Sequence, residues 1–426
     1  MATQLNLSNQ NLTELPDNLP QSLHVLDCSN NEITTLLDNL PQSLYELDCA
    51  TNLLAILPNN LPQSLQKLYC DNNSLTTLPN NLPQNLQILT CGGNLLTILH
   101  DNLPQNLKTL CCDHNSLTTL PDNLPQSLQY FNCSNNHLTS LPDNLPQSLQ
   151  ILRCAYNKLT TLPDNLPQNV QDLGCSYNKL TTLPDNLPQS LKTLECPCNQ
   201  LTTLPDNLPQ SMQTIYCPHN KLTTLPDNLP QSLQDLRCSF NELTLLPDNL
   251  PPCVLWLGCS HNQLTSLPDN LPPSLQELIC HYNQLTLLPD NLPQRLQKLY
   301  CHDNRLTSLP DKLPQNLEEL YCSNNQLTIL PDLPYSLVEL EFTNNPLEAN
   351  YPDIFTFKNY QAYSMIAYVN SRNWEMRRAR MQKINPTNRI LEIYMQRMMH
   401  PDRLAALAAD ADADVDEWMG RYVDSL

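Results

Sequence analysis

Glycine is almost missing, with five in 426 residues. That scarcity leaves little room for a phosphate cradle, and no phosphate loop, Ser/His/Asp grouping or metal-ligand spacing appears along the chain. Positive charge is also short: 22 Lys+Arg face 42 Asp+Glu, a net charge of −20. Most of the excess lies in residues 1–347, with 12 basic and 31 acidic side chains, whereas residues 348–426 carry 10 and 11. An acidic surface of this kind repels phosphate backbones and argues against nucleic acid as a partner. No apolar run approaches the roughly 20 residues needed to cross a bilayer, so no membrane partner is expected. The opening Met1-Ala-Thr-Gln-Leu-Asn-Leu has no basic stretch leading into an apolar core, hence no secretory signal is expected.

What the chain has in abundance is proline (38), cysteine (18) and self-similarity. Fifteen cysteines recur every 21 residues from Cys28 and Cys49 to Cys301 and Cys322, and each is followed three residues later by asparagine, from Asn31 to Asn325. The unit reads L-x-x-L-x-C-x-x-N-x-L-T-x-L-P-D-N-L-P-Q-S, and residues 107–127 match it at every fixed place. A fixed short period means a stacked solenoid whose units bury their apolar faces against their neighbours.

Within a unit, inward Leu26 and Cys28 alternate with outward Val25 and Asp27, the period of a short strand. The asparagine sits where the chain turns off that strand, with enough donors and acceptors to tie its own coil to the next. Two prolines four residues apart, such as Pro121 and Pro125, exclude a helix from the return segment and predict extended or tight-turn geometry there. The recurring aspartate after the first proline is expected to cap that turn by accepting a backbone N–H. The repeat cysteines lie on equivalent parallel positions, whereas a disulfide needs converging side chains, so they read as reduced, buried thiols. Only Cys111, Cys198 and Cys253 lie off the repeat position. Reduced thiols in this number imply an intracellular, reducing compartment.

The pattern resembles the leucine-rich repeat family, L-x-x-L-x-L-x-x-N-x-L, with Cys in the third apolar slot. Its L-P-x-x-L-P return is similar to the short-repeat class of bacterial effectors and large DNA viruses. The resemblance covers about four fifths of the chain. It implies a mostly β, α/β solenoid: a horseshoe of about 16 coils over residues 1–347, with a helical segment over 348–426. Two departures stand out. The helical hairpin that often opens the bacterial effectors is not seen, and the last coil omits the Asn after Asp332 and puts Phe342 in the cysteine place while keeping Asn345.

In leucine-rich repeats the variable positions around the strand face the concave side, where ligands bind. The position two after each cysteine reads Asn30, Thr51, Asn72, Gly93, His114 and Asn135, then Tyr156, Tyr177, Cys198, His219, Phe240, His261 and Tyr282, before returning to Asp303 and Asn324. Tyr216, Trp256 and Tyr300, with His281 and His302, project from neighbouring columns. Clustered rigid aromatics are the usual anchors of a protein interface, so the candidate partner-binding set is Tyr156, Tyr177, Tyr216, His219, Phe240, Trp256, His261, Tyr282 and Tyr300. Drift among single-base neighbours of a tyrosine codon, or stabilisation of the sheet by same-face pairs, would produce the same column. Single histidines on separate coils do not compose a metal set, and no metal or cofactor is expected.

Past Leu347 the repeat ends. Residues 359–383 read as a helix carrying Tyr360, Tyr363, Ile366 and Val369, and further helices are expected after Asn385-Pro386, after His400-Pro401 and around Trp418. This segment reads as a cap on the last coil, or as an adaptor using Arg377, Arg378, Arg380 and Lys383. The run from Asp410 to Asp416 begins like a calcium loop but has Val415 in the glycine place and Arg421 in the final acid place, so it reads as a solvated charge cluster. Three functions fit. The first is a non-catalytic scaffold that binds a protein partner on its concave face, as a host-interaction protein does. The second is the substrate-recognition part of a ubiquitin-ligase-like effector, opposed by the lack of any cysteine after Cys322. The third is a self-associating structural repeat protein, through an open strand edge at Leu5–Leu12.

Overall fold

The computed structural model describes residues 3–352 and 362–384. Among these are seventeen three-residue strands and one helix, α1 (Ala362–Ile384). The chain divides into two compact units, Met1–Leu243 and Thr244–Leu426. The first holds β1 (Gln4–Asn6), β2 (Val25–Asp27) and their successors to β12 (Asp235–Arg237); the second holds β13 (Trp256–Gly258) to β17 (Glu339–Glu341), and α1. Nothing in the 21-residue period marks this division.

Within each unit the strands pair in parallel, each residue beside the one 21 places on, as Leu26 beside Leu47 and Leu278 beside Leu299. The last step pairs Leu320 with Leu340, only 20 places on, because the coil between them omits the Asn after Asp332. Parallel strands three residues long stay in register because their middle side chain and the following cysteine are both inside. Leu26 and Cys28 are fully buried, as are their counterparts Leu173 and Cys175. All eighteen cysteines are free thiols, and several repeat thiols donate to the carbonyl of the next coil, as Cys70 Sγ does to Thr90 O at 3.2 Å.

The asparagine ladder performs as the residue type demands. Asn178 Nδ2 donates to Cys154 O at 3.0 Å, Cys175 O at 3.1 Å and Ser176 O at 3.2 Å, while its Oδ1 accepts Leu159 N at 3.0 Å. One amide therefore satisfies four backbone groups on two coils, in a place water does not reach. A second ladder runs along the return segment: Ser127 Oγ lies 2.7 Å from Gln105 O and 2.6 Å from Leu107 O, within reach of both acceptors.

The return segment contains no helix. Its turn is closed by the leucine N–H on the proline carbonyl three residues back, as Leu128 N to Pro125 O at 3.1 Å. That bond overturns the capping role expected for the repeated aspartates. Among the described residues Asp122, Asp143, Asp164 and Asp185 are exposed and accept no hydrogen bond, because the turn is already satisfied by main-chain atoms. Among the described residues the one carboxylate of that row that accepts hydrogen bonds is that of Asp332, from Asn373 Nδ2 at 3.2 Å and from the Arg377 guanidinium.

In the second unit, α1 lies against the last return segment. Ile366 and Val369 are fully buried, Asn370 pairs with both the N–H and the C=O of Leu333 at 2.8 and 3.0 Å, and Asn373 donates to Leu330 O at 3.1 Å. Buried Tyr351 bonds the same edge and Asn373. Two asparagines one turn apart thus stand in for the coil that does not follow. The described helix, Ala362–Ile384, covers most of the 359–383 span expected from the sequence; residues 359–361 lie outside the described residues. Tyr360, the helices expected after Asn385-Pro386, and the Asp410–Asp416 run lie outside the described residues.

Replacing Asn178 with alanine strands three carbonyls and one N–H in the interior of the first unit. It is expected to lower unfolding stability by about 1–3 kcal/mol. A urea unfolding midpoint unchanged from the parent would show that the ladder contributes little.

Candidate functional site: the left-handed ring column

The column two residues after the cysteine occupies a special backbone position. From Asn30 to Asn324 every member has φ between +50° and +61°. The chain leaves the strand there and must reverse so that the next residue, the ladder asparagine, points inside. L-residues other than Gly, Asn and Asp resist this conformation by roughly 1–2 kcal/mol each. Sequence reasoning missed this constraint, although Asn30, Asn72, Gly93, Asn135, Asp303 and Asn324 in the same column are its signature.

The rings at this position lie on one another. In the first unit Tyr156 stacks on Tyr177 at 4.1 Å and 9°, and His219 on Phe240 at 4.1 Å and 14°. In the second, His261 stacks on Tyr282 at 4.3 Å and 16°. Tyr156, Tyr177, Phe240 and Tyr282 remain 41–48% exposed, with His219 also exposed and His261 half-buried. The Tyr177 phenol is pushed up to about 12 by the neighbouring Cys198 thiol and Tyr156 hydroxyl, so it remains a neutral donor at physiological pH.

Other candidates stand on the strands themselves. Tyr216, at the end of β11 (Thr214–Tyr216), is 39% exposed. Trp256 and Tyr300 are half-buried. Tyr300 is already committed within the second unit: its hydroxyl donates to the Glu319 carboxylate, its ring tilts against Tyr321 at 5.0 Å, and burial together with Glu319 raises its pKa. Charges on the strand face are paired between coils, as in Lys67–Glu46 at 3.0 Å and Lys298–Glu319 at 2.6 Å. Arg153 reaches Asp172 and, at 3.2 Å, Glu195 two coils on. It does so across Gly174, where an added Cβ would stand 2.6 Å from Nη1.

A histidine tier adjoins the column in the second unit. His281 stacks on His302 at 4.3 Å and meets His261 and Tyr282 edge-on at 5.5 and 5.6 Å. His302 Nδ1 lies 2.8 Å from Asp303 Oδ2. Burial, then the neighbouring His302 and His261, push His281 down to about 4. Among the described residues no three His, Cys, Asp or Glu side chains are placed to hold a metal. The buried repeat thiols, Cys175 among them, are held well above the ordinary thiol value by burial, which removes the thiolate a nucleophile requires.

Comparison with known proteins agrees with this architecture. The family model "Leucine Rich repeats (2 copies)" matches residues 294–335, and "Leucine Rich Repeat" matches residues 127–147. Among solved structures, YopM, a leucine-rich effector protein from Yersinia pestis, is 36% identical over 80% of this chain and 88% of its own, with a TM-score of 0.62. The chain belongs to the leucine-rich repeat family. The Leptospira interrogans leucine-rich-repeat protein LIC12759 is 30% identical over 80% of this chain and 90% of its own, with a TM-score of 0.68. The functional domain of InlJ from Listeria monocytogenes, which includes a cysteine ladder, is 25% identical over 77% of this chain and 69% of its own, with a TM-score of 0.60. No curated protein matches. No helix among the described residues is long and apolar enough to cross a membrane.

His281 gives a pH test. Its folded value of about 4 lies below the ordinary 6.5, so the unfolded chain takes up the proton first. Its contribution is complete above about pH 6.5 and is lost as pH falls toward 4. His281→Phe is expected to flatten the dependence of the melting temperature on pH across that window. Parallel curves for the parent and the variant would exclude His281 as the source.

Proposed function

We propose that the protein is a non-catalytic protein–protein interaction scaffold, and that its partner binds the ring column together with the exposed strand-face aromatics. The observation that carries this reading is the use of costly residues at a left-handed position. Asparagine or glycine would fold more cheaply there, yet Tyr156, Tyr177, His219, Phe240, His261 and Tyr282 hold it, half or more of their number still open to solvent. Codon drift toward unfavourable conformers is opposed by stability, whereas a binding surface rewards rigid exposed rings. Leucine-rich repeats are an interaction fold, and the likeness to a bacterial effector supports a host-interaction role in a reducing compartment, where a ladder of free thiols persists. Residues 1–347 form the recognition solenoid in this reading, and residues 348–426 act as its cap, beginning with the α1 contact to Leu330 and Leu333.

The test is affinity capture from eukaryotic cell lysate with the intact chain and with the triple variant Tyr177→Asn, Phe240→Asn and Tyr282→Asn. Asparagine keeps the left-handed backbone comfortable, so the variant should remain folded by circular dichroism. A partner identified with the parent and lost with the variant supports the reading. A partner retained at full yield by the folded variant refutes the ring column as the site.

A further inference from the structure

The repeat makes its departures conspicuous, and three of them fall on consecutive coils of the first unit. The position after the cysteine holds Ser29, Ala50, Ser134, Ala155 and Ser176 on neighbouring coils, but Asp71, Gly92 and Asp113 in between. Gly93 follows Gly92, so two of the chain's five glycines stand together. With no side chain on either, a cavity of about 540 Å³ opens, lined by both glycines with Asp71, Asn72, Asp113 and His114. The point where a Cβ of Gly92 would stand is 3.0 Å from Asp113 Oδ1 and 3.2 Å from Asp71 Oδ1. The two carboxylates therefore converge on this cavity from the coils on either side of the glycines.

No lysine or arginine meets that convergence. Further along the first unit the acids of the sheet are matched: Arg153 serves Asp172 and Glu195, and Arg237 serves Asp235. Among the described residues no such cation pairs with Asp27, Asp48, Asp71 or Asp113, and Lys67 in their midst is taken by Glu46 at 3.0 Å. Hydrogen bonds hold these carboxylates in place. Asp71 accepts the Thr90 hydroxyl and, at 2.8 Å, the Gly92 N–H; Asp113 Oδ2 lies 2.9 Å from His114 Nδ1. Asp48 Oδ1 accepts Ala50 N at 3.0 Å, a bond that neutral Asn132 makes equally well to Ser134 N at 3.1 Å. The turn thus does not need the charge. Burial pushes both Asp71 and Asp48 up from the ordinary carboxylate value, and like charge adds to it, from Asp113 on Asp71 and from Asp27, Asp71 and Glu46 on Asp48.

The geometry points to a docking site for an arginine side chain carried on a basic, extended segment of a partner protein. The guanidinium enters over Gly92 and Gly93 and donates to Asp71 on one side and Asp113 on the other, while flanking basic residues meet Asp48 and Asp27 on the preceding coils. A guanidinium suits the site because its donors diverge in one plane from a rigid fork, whereas an ammonium is a compact point charge. Its arrival relieves the repulsion among carboxylates that the fold leaves uncompensated, and the matched charges further along the sheet offer a basic segment less, which fixes where it lies. The site is separate from the ring column, which begins at Tyr156, and it gives the scaffold a second contact of different chemistry.

Fluorescence anisotropy with a labelled heptapeptide bearing a central arginine between lysines, and with its central-lysine counterpart, tests the site. The two peptides have equal charge, so the field of the whole protein acts on them alike. The intact protein is expected to bind the arginine peptide about fivefold more tightly. Asp71→Asn with Asp113→Asn keeps the shape of both side chains, and is expected to erase that preference and weaken the arginine peptide about tenfold. Asp122→Asn with Asp143→Asn removes the same charge from exposed return segments and is expected to preserve it. Gly93→Tyr, a residue that Tyr156 and Tyr177 show to be accepted at this backbone position, fills the cavity and is expected to erase the preference as well. Circular dichroism confirms that each variant is folded. No binding of the arginine peptide to the parent, equal affinity for the two peptides, a preference that survives Asp71→Asn with Asp113→Asn, or an equal loss in the Asp122→Asn, Asp143→Asn protein each overturns the site. None of these variants touches Tyr177, Phe240 or Tyr282, so a failure here leaves the ring column to its own test, and a failure there leaves this site standing.

Discussion

One side-chain amide per coil carries the architecture. Strands of three residues are too short to define a register by themselves, and the return segments contribute no helix to pack against them. Beside the buried leucine and cysteine of each strand, Asn178 and its counterparts lock that register, each joining carbonyls of its own coil and the one before. For that amide to enter the interior, the residue before it must turn through the left-handed region. The ladder that stabilises the stack and the strained column that faces outward are consequences of the same turn.

That coupling links stability to function. A column fixed at one coil step brings successive rings to about 4 Å, so aromatics placed there stack on each other and stay rigid. Rigid rings lose little entropy when a partner covers them. At the other end of the chain α1 meets the last return segment with side-chain amides again, Asn370 and Asn373 replacing the backbone of a missing coil.

Much of this was legible in the sequence because a strict period repeats every local choice. Buried Leu26 and Cys28, the inward Asn31 series and the helix-free return all follow from residue type and spacing. The repeated aspartate misled because Pro-Asp is a genuine turn signal, yet the Leu128 N to Pro125 O bond had already closed the turn. The left-handed column was visible only to a reader who weighed Asn72, Gly93 and Asp303 as backbone requirements and not as surface variation. The pairing of α1 with Leu333 was not legible, since it depends on the angle at which a helix meets a coil edge. Nor was the neutral His281, whose state depends on rings from three coils.

The central claim is that the ring column is held against a backbone penalty for the sake of binding. The equilibrium stability of Tyr177→Asn against the parent, by urea unfolding, measures this most directly. Relief of a left-handed tyrosine offsets the loss of its stack on Tyr156, so the account predicts a variant as stable as the parent or more so. A loss of stability greater than about 1.5 kcal/mol, beyond what a single aromatic pair supplies, would contradict it and make the rings part of the fold.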